Sequence, residues 1–381
     1  MILEYPNKKS ENEIVSNDSN NLLNEDEINI ISDNLLFHGE NFQILKSMIY
    51  ELELQGKVDL IYIDPPFSTN NVFKISDDKI NTISSGLDDK IAYKDSLKGS
   101  DFIEFLRERL LLLKELLSDK GSIYLHIDYK IGHYVKILMD EIFGLNNFRG
   151  DITRIKCNPK NFKRKTYGNI KDLILFYTKT NNYVWNEPRV PLSKDDIERL
   201  YAKKDDKGQK YTTVPLHAPG ETKNGATGKK WKGINPPKGR HWRCSPEELD
   251  KLENEGLIEW SKNGVPRKKV YANGKKKKGK LLQDIWTYKD SQNPSYPTEK
   301  NSEMIEQIIK TSSNPNDLVL DCFCGSGTTL ISANKLNRRW IGIDESSEAI
   351  NVVKNRLSEL QTTLYNPEVS YKFIDLHEKT S

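Results

Sequence analysis

Long apolar runs are missing from this chain. No stretch approaches the roughly 20 residues that a membrane helix needs, which excludes a helical membrane protein. The amino terminus lacks the basic, apolar and small-residue blocks of a secretory leader, so a cytoplasmic protein is expected. Cysteine is sparse. Cys157, Cys244, Cys322 and Cys324 show no metal-type pairing with the six scattered histidines, so no metal site is expected and a reduced compartment follows. A large overall charge is missing too: the net is +3. That near-cancellation hides an asymmetry. Residues 157–290 hold 31 Lys and Arg against 16 Asp and Glu, a net of +15, which leaves −12 for the rest of the chain. A segment so biased suits a polyanionic partner, although abundant solvated lysine gives the same count.

The 381 residues suffice for one large domain or two ordinary ones. Residues 1–34 are rich in Asn, Ser, Glu and Asp and read as a flexible segment. Strand and helix patterns then alternate: strands at 35–38, 58–63, 122–127, 151–155 and 173–177, helices at 42–54, 102–117 and 135–143. Residues 68–98 are polar and irregular, a loop long enough to be a lid or disordered. From 157 to 290 Gly, Pro, Lys and aromatics dominate, with helical periodicity only at 246–255. Alternation returns with helices at 305–312, 328–336 and 349–360 and strands at 318–321 and 340–343. The expected fold is a doubly wound, mostly parallel α/β sheet of Rossmann-like form, interrupted by a basic insertion. The expected divisions are 1–34, 35–156, 157–290 and 291–381.

Two stretches carry chemistry. Val58–Ile63 reads as a buried strand, and Asp64-Pro65-Pro66-Phe67 follows it. Each proline fixes its own φ and removes a donor, and the residue before each is pushed out of helix. The result is a stiff extended turn with a carboxylate at its start and a ring at its tip, placed where open α/β sheets bind ligands. Alone, it also reads as an ordinary proline turn. The second stretch, Asp321-Cys322-Phe323-Cys324-Gly325-Ser326-Gly327-Thr328-Thr329, is a strand, a glycine turn and a helix start. Glycines let backbone approach a ligand, and a helix N-terminus offers free N–H groups. The next strand ends at Asp344, an acidic residue suited to a ribose diol. The third glycine of the dinucleotide fingerprint is absent. The tryptophans and histidine of the basic segment (Trp231, His241, Trp242, Trp260) read as small-domain core rather than base-stacking platforms.

Asp64-Pro65-Pro66-Phe67 upstream of Phe323-x-Gly325-x-Gly327 resembles the β group of exocyclic-amino DNA methyltransferases, most closely the site-specific adenine-N6 enzymes of restriction–modification systems. Supporting pieces include Leu36–Asn41, Phe105–Leu110, Leu138–Gly144 and Tyr296–Lys300, so the resemblance runs from Leu35 to Leu360. It departs where Glu40 replaces Asp, Asn301 replaces proline and Cys324 replaces a smaller residue. The resemblance implies S-adenosylmethionine (SAM) as cofactor, held by Asp321, Phe323, Cys324, Gly325, Ser326, Gly327, Thr328, Thr329 and Asp344, with Glu40 and Lys300 alongside. It implies catalysis by Asp64, Pro65, Pro66 and Phe67 on a base flipped from double-stranded DNA, with no metal. Lys160, Lys163, Arg164, Lys165, Lys229, Lys230, Lys232, Arg240 and Arg243 are the expected DNA contacts. A cognate restriction endonuclease and a homodimer are partners it leaves open. Cytosine-N4 methylation on the same fold, RNA methylation, and a catalytically silent DNA-recognition subunit for a nuclease remain alternatives. In this family cytosine enzymes often carry Ser where Asp64 stands.

Overall fold

The computed structural model describes residues 2–17, 22–23, 28, 33–66, 72–75, 80–81, 90–94, 99–159, 161, 163, 165–276, 279–290, 299–361 and 370–380. The chain divides into two compact units, residues 1–187 with 283–381, and residues 188–282.

The larger unit is built on nine strands: β1 (Asn34–His38), β2 (Val58–Ile63), β3 (Leu117–Ile127), β4 (Phe148–Ile155), β5 (Lys171–Thr178), β6 (Ile285–Trp286), β7 (Leu318–Asp321), β8 (Arg339–Asp344) and β9 (Tyr371–Asp375). They form one sheet in the order β6-β4-β5-β3-β2-β7-β8-β1-β9. Pairing is antiparallel only where β5 lies between β3 and β4; every other neighbour is parallel. The expected mostly parallel sheet is therefore present. The strand order reverses direction between β2 and β7, which creates the crevice where α/β sheets hold ligands.

The central strands form because they are apolar on both faces. All six residues of β2 are buried, as are the four of β7, the signature of parallel strands covered by helices. The longer helices are α1 (Asn41–Tyr50), α2 (Ser100–Leu116), α3 (Gly132–Phe143), α4 (Ser302–Ser312), α5 (Thr328–Lys335) and α6 (Ser347–Gln361). In α2 the run Phe102, Ile103, Leu106, Leu110 and Leu113 recurs at three- and four-residue spacing and is buried. Gly342 on β8 sits beneath α5. A Cβ there would lie 2.4 Å from Leu330 Cδ1, so glycine sets how closely helix and strand pack.

Four expectations need correcting. Part of the amino-terminal segment is packed, not loose: Ile14 is buried in the main core. Lys8 bridges to Glu141 at 2.7 Å, and Arg107 donates to the Lys9 carbonyl at 2.9 Å. A few apolar residues and charges find partners there, which composition averages away. The second unit starts at 188, not 157, because β5 and β6 belong to the main sheet. The region 68–98 lies mostly outside the described residues, but backbone strands at 80–81, 72–75 and 90–94 pair antiparallel within it. Strand β9, read as no element from sequence, pairs with β1 at the sheet edge.

The smaller unit has a four-stranded antiparallel sheet of 203–204, 210–215, 266–271 and 258–260. Its helices Lys194–Leu200 and Pro246–Asn254 each begin with a capping box, at Ser193 and Ser245. Trp231 and Trp242 are buried with Leu216, Leu249 and Ile258, as the core reading anticipated. Trp260, partly exposed, stacks on Trp231 with centroids 5.4 Å apart.

No described helix is long and apolar enough to cross a membrane.

Asp59 ties the sheet centre together. Its carboxylate accepts from Ser118 Oγ at 3.0 Å and from the Leu318 N–H at 3.1 Å, joining β2 to β3 and β7. Asp59→Ala leaves that buried N–H without its acceptor. It should lower unfolding stability by about 2 to 3 kcal/mol, read from urea denaturation; an unchanged midpoint contradicts this role.

Candidate active site

Three adjoining parallel strands each end in a carboxylate: β2 at Asp64, β7 at Asp321 and β8 at Asp344. Asp64 leaves its strand into Pro65 and Pro66, and Phe67 lies outside the described residues. One Asp64 oxygen, Oδ2, meets Lys300 Nζ at 2.5 Å. The other, Oδ1, is buried and has no hydrogen-bond partner among the described residues. Lys300, expected among the cofactor contacts, has its ammonium on the Asp64 carboxylate.

The glycine loop between β7 and α5 is pinned from several sides. The Cys324 N–H donates to the Ile343 carbonyl at 3.0 Å, and the Gly327 N–H to the Cys324 carbonyl at 2.7 Å. Asn41 Nδ2 holds the Cys322 carbonyl at 2.8 Å, and Arg356 Nη1 the Ser326 carbonyl at 2.8 Å. Gly327 is left-handed, with φ of 74°, and a Cβ there would strike Val353 at 2.9 Å, so two independent constraints demand glycine. No side chain caps the N-terminus of α5 that follows, which leaves its first N–H groups for a ligand. Ser326, Thr328 and Thr329 are buried around this turn, and Ser326 Oγ and Thr328 Oγ1 lie 3.3 Å apart. Phe323 is partly buried, 6.1 Å from the Phe105 ring.

Asp344 accepts from the Gly325 N–H at 2.8 Å and the Ser346 N–H at 2.9 Å. Burial pushes its carboxyl above the ordinary range. Asp321 accepts from the Phe323 N–H at 3.1 Å. Burial pushes its pKa up to about 7, and the charges on Asp64 and Asp344 add to the rise. No cation pairs with Asp321 among the described residues. The crevice therefore gathers negative charge, a donor set that fits a cationic ligand.

Glu40 caps α1, accepting from the Phe42 and Gln43 N–H groups at 3.0 and 3.1 Å, and pairs with Arg109. Arg109 is itself buried, donates to Asn41 Oδ1 at 2.6 Å and stacks 3.6 Å over Phe105. Glu40 thus reaches the glycine loop through Arg109 and Asn41.

The expected DNA contacts divide. Lys160 and Arg164 lie outside the described residues; Lys163 and Lys165 are exposed in the larger unit. Lys229, Lys230, Lys232, Arg240 and Arg243 are exposed in the smaller one. Lys232 is engaged by Glu253, and Arg240 Nη1 lies 3.2 Å from His217 Nδ1. Burial, then Arg240, Arg243 and Arg267, hold the His217 imidazole below its usual pKa, so these cations share one patch.

Sequence reasoning missed Asn41, Arg109 and the group behind Asp64, namely Tyr62, His126 and Asp172. His126 was findable: a histidine in the apolar run 122–127 is a buried polar group that needs partners.

A family model described as DNA methylase matches residues 58–355. The type II methyltransferase M.EcaI of Enterobacter cloacae is 41% identical over 370 residues, covering 93% of this chain and 77% of its own length. The StyLTI Mod subunit, a type III restriction–modification enzyme of Salmonella typhimurium, is 29% identical over 341 residues, covering 80% of this chain. The chain spans only 50% of that relative. Among solved structures, the M1.HpyAVI–SAM complex superposes with a TM-score of 0.42 and 20% identity, over 84% of this chain and 99% of its own.

A carboxyl raised to about 7 favours folding below its unfolded pKa and loses that contribution as pH rises through 7. Ionised Asp321 then costs roughly 4 kcal/mol. An amide keeps the acceptor for Phe323 and removes the charge. Asp321→Asn should therefore raise Tm at pH 8 by more than at pH 5.5; an equal shift at both contradicts the assignment.

Proposed function

This chain belongs to the DNA methylase family, and we propose that within it the protein transfers a methyl group from SAM to the N6 amine of adenine at a specific sequence in duplex DNA. The observation that carries this reading is Asp64 Oδ1, a buried carboxylate oxygen with no hydrogen-bond partner among the described residues, at the end of β2 beside the glycine loop. Burying an acceptor without a donor is costly, and a site that awaits a donor from its ligand explains it. The amine of a flipped base is such a donor.

SAM fits the residues present. Its sulfonium and ammonium are cationic and suit the end of the crevice lined by Asp321 and Asp344. Asp344 suits the ribose, and the uncapped α5 N-terminus suits the carboxylate. Bound there, SAM supplies an electrophilic methyl group. The chain's own residues handle the amine. An adenine N6 is a poor nucleophile because its lone pair is delocalised into the ring. Asp64 Oδ1 and the Pro65 carbonyl accept its N–H groups, return charge to nitrogen and stabilise the positive charge that develops there. Lys300 fixes the other Asp64 oxygen, and the two prolines fix the backbone, so little reorganisation is needed. Phe67 supplies the stacking wall for the base. The base leaves the duplex to reach these groups.

Aspartate rather than serine at 64 supports adenine over cytosine in a family directed to N6 and N4 amines. The exposed cations of the smaller unit and of Lys163 and Lys165 supply phosphate contacts. Relatives in type II and type III restriction–modification systems support a cognate endonuclease as partner.

Asp64→Ala should reduce methyl transfer to unmethylated genomic DNA by about 10²- to 10³-fold, with SAM affinity by calorimetry nearly unchanged. Transfer at the wild-type rate contradicts the proposal.

A further inference from the structure

Behind Asp64 lies a row of polar side chains that local sequence pattern does not explain. Tyr62, two residues before Asp64, shares its face of β2. Tyr62 pairs with Tyr124 across to β3, and His126 lies two residues further on that same face. His126 pairs with Ile174 on β5, which puts Asp172 on this face as well, and Arg154 on β4 pairs with Asp172. These side chains form a buried chain. Tyr62 Oη lies 2.9 Å from His126 Nδ1. His126 Nε2 makes no hydrogen bond among the described residues, and its nearest acceptor is Asp172 Oδ2 at 3.4 Å, an electrostatic contact. Asp172 is held in turn by Lys156 at 2.6 Å and Arg154 at 3.8 Å. The near end of the chain faces the site: His126 Nδ1 is 3.8 Å from Asp64 Oδ1, beyond hydrogen-bond reach.

Histidine has two nitrogens, and what one meets fixes the proton on the other. Asp172 is an acceptor held by two cations, so it draws the ring proton to Nε2. Nδ1 then carries a lone pair, which accepts the Tyr62 hydroxyl. Resting on the reading of Asp64 as the amine acceptor, we infer that His126 is a positioning residue for methyl transfer: with its Nδ1 lone pair committed to Tyr62, it lines Asp64 Oδ1 without donating to it and reserves that oxygen for the base. A donor here, whether a water, an amide or the other histidine tautomer, would fill Oδ1 and compete with the amine. Complete burial of His126 lowers its pKa, which supports the neutral ring. The charged or titratable groups facing it are Asp64 and Tyr62 from β2, Asp172 from β5 and Lys300 from the segment before α4.

Tyr62→Phe tests this with little change of shape. It removes the hydroxyl that occupies Nδ1, so the ring is free to turn its proton toward Asp64. Single-turnover methyl transfer, with labelled SAM and unmethylated genomic DNA at saturation, should fall roughly ten- to hundred-fold, as for other partners that orient a reacting ligand. SAM and DNA dissociation constants should stay within about twofold, since neither ligand touches Tyr62 in this account. A lowered Tm with an unaltered single-turnover rate would make the row structural only and overturn the inference. Nitrogen-15 histidine spectra of the wild type, with His126 assigned by its loss in His126→Gln, should show protonated Nε2 and bare Nδ1. The reverse tautomer also overturns it. These readouts separate the two claims. If Asp64→Ala abolishes transfer and Tyr62→Phe does not slow it, the His126 assignment fails. If the tautomer is as expected but Asp64→Ala transfers normally, the role of Asp64 fails.

Discussion

A carboxylate held by one oxygen and open at the other is the interaction on which this site depends. Asp64 sits where β2 ends, beside the switch point of the sheet, with Lys300 on Oδ2 and nothing among the described residues on Oδ1. That arrangement needs a rigid backbone on one side and a dry neighbour on the other. Pro65 and Pro66 provide the first by removing backbone freedom just after the strand. The buried His126 row provides the second. Asp59, five residues earlier on the same strand, is the structural counterpart: both its oxygens accept from neighbouring strands, so it binds the sheet and offers nothing to a ligand.

The glycine loop shows the same division between held and open groups. Its carbonyls at Cys322 and Ser326 are taken by Asn41 and Arg356, from α1 and α6. The Gly325 N–H is taken by Asp344. With the loop so fixed, the α5 N-terminus carries no side-chain cap, and the Asp321 carboxyl, bonded to the Phe323 N–H, pairs with no cation among the described residues. Three strand ends bring carboxylates together there, and burial, with the charges on Asp64 and Asp344 added, raises the Asp321 pKa.

How much of this was legible in sequence follows from which physics is local. Strands β2, β7 and β8 were read within a residue or so, since buried parallel strands appear as unbroken apolar runs. The glycines at 325 and 327 and the aspartates at 64, 321 and 344 were visible because motif spacing fixes them at strand ends. Lys300 on Asp64, Arg109 between Glu40 and Asn41, and His126 against Asp172 were not. Each joins residues far apart in the chain, and neither period nor composition encodes who meets whom across a sheet. The start of the smaller unit was misplaced for a related reason. The polar linker after Ile155 resembles the insertion in composition, yet β5 returns to the sheet before the insertion begins. The packing of residues 2–17 was missed because a few buried apolar side chains, such as Ile14, are diluted by many exposed polar ones.

The most direct test of the central claim is to incubate the protein with SAM and unmethylated mixed-sequence DNA and map the modified bases by modification-sensitive sequencing. The account predicts N6-methyladenine confined to one sequence context. N4-methylcytosine, or no mark on DNA despite confirmed SAM binding, would contradict it.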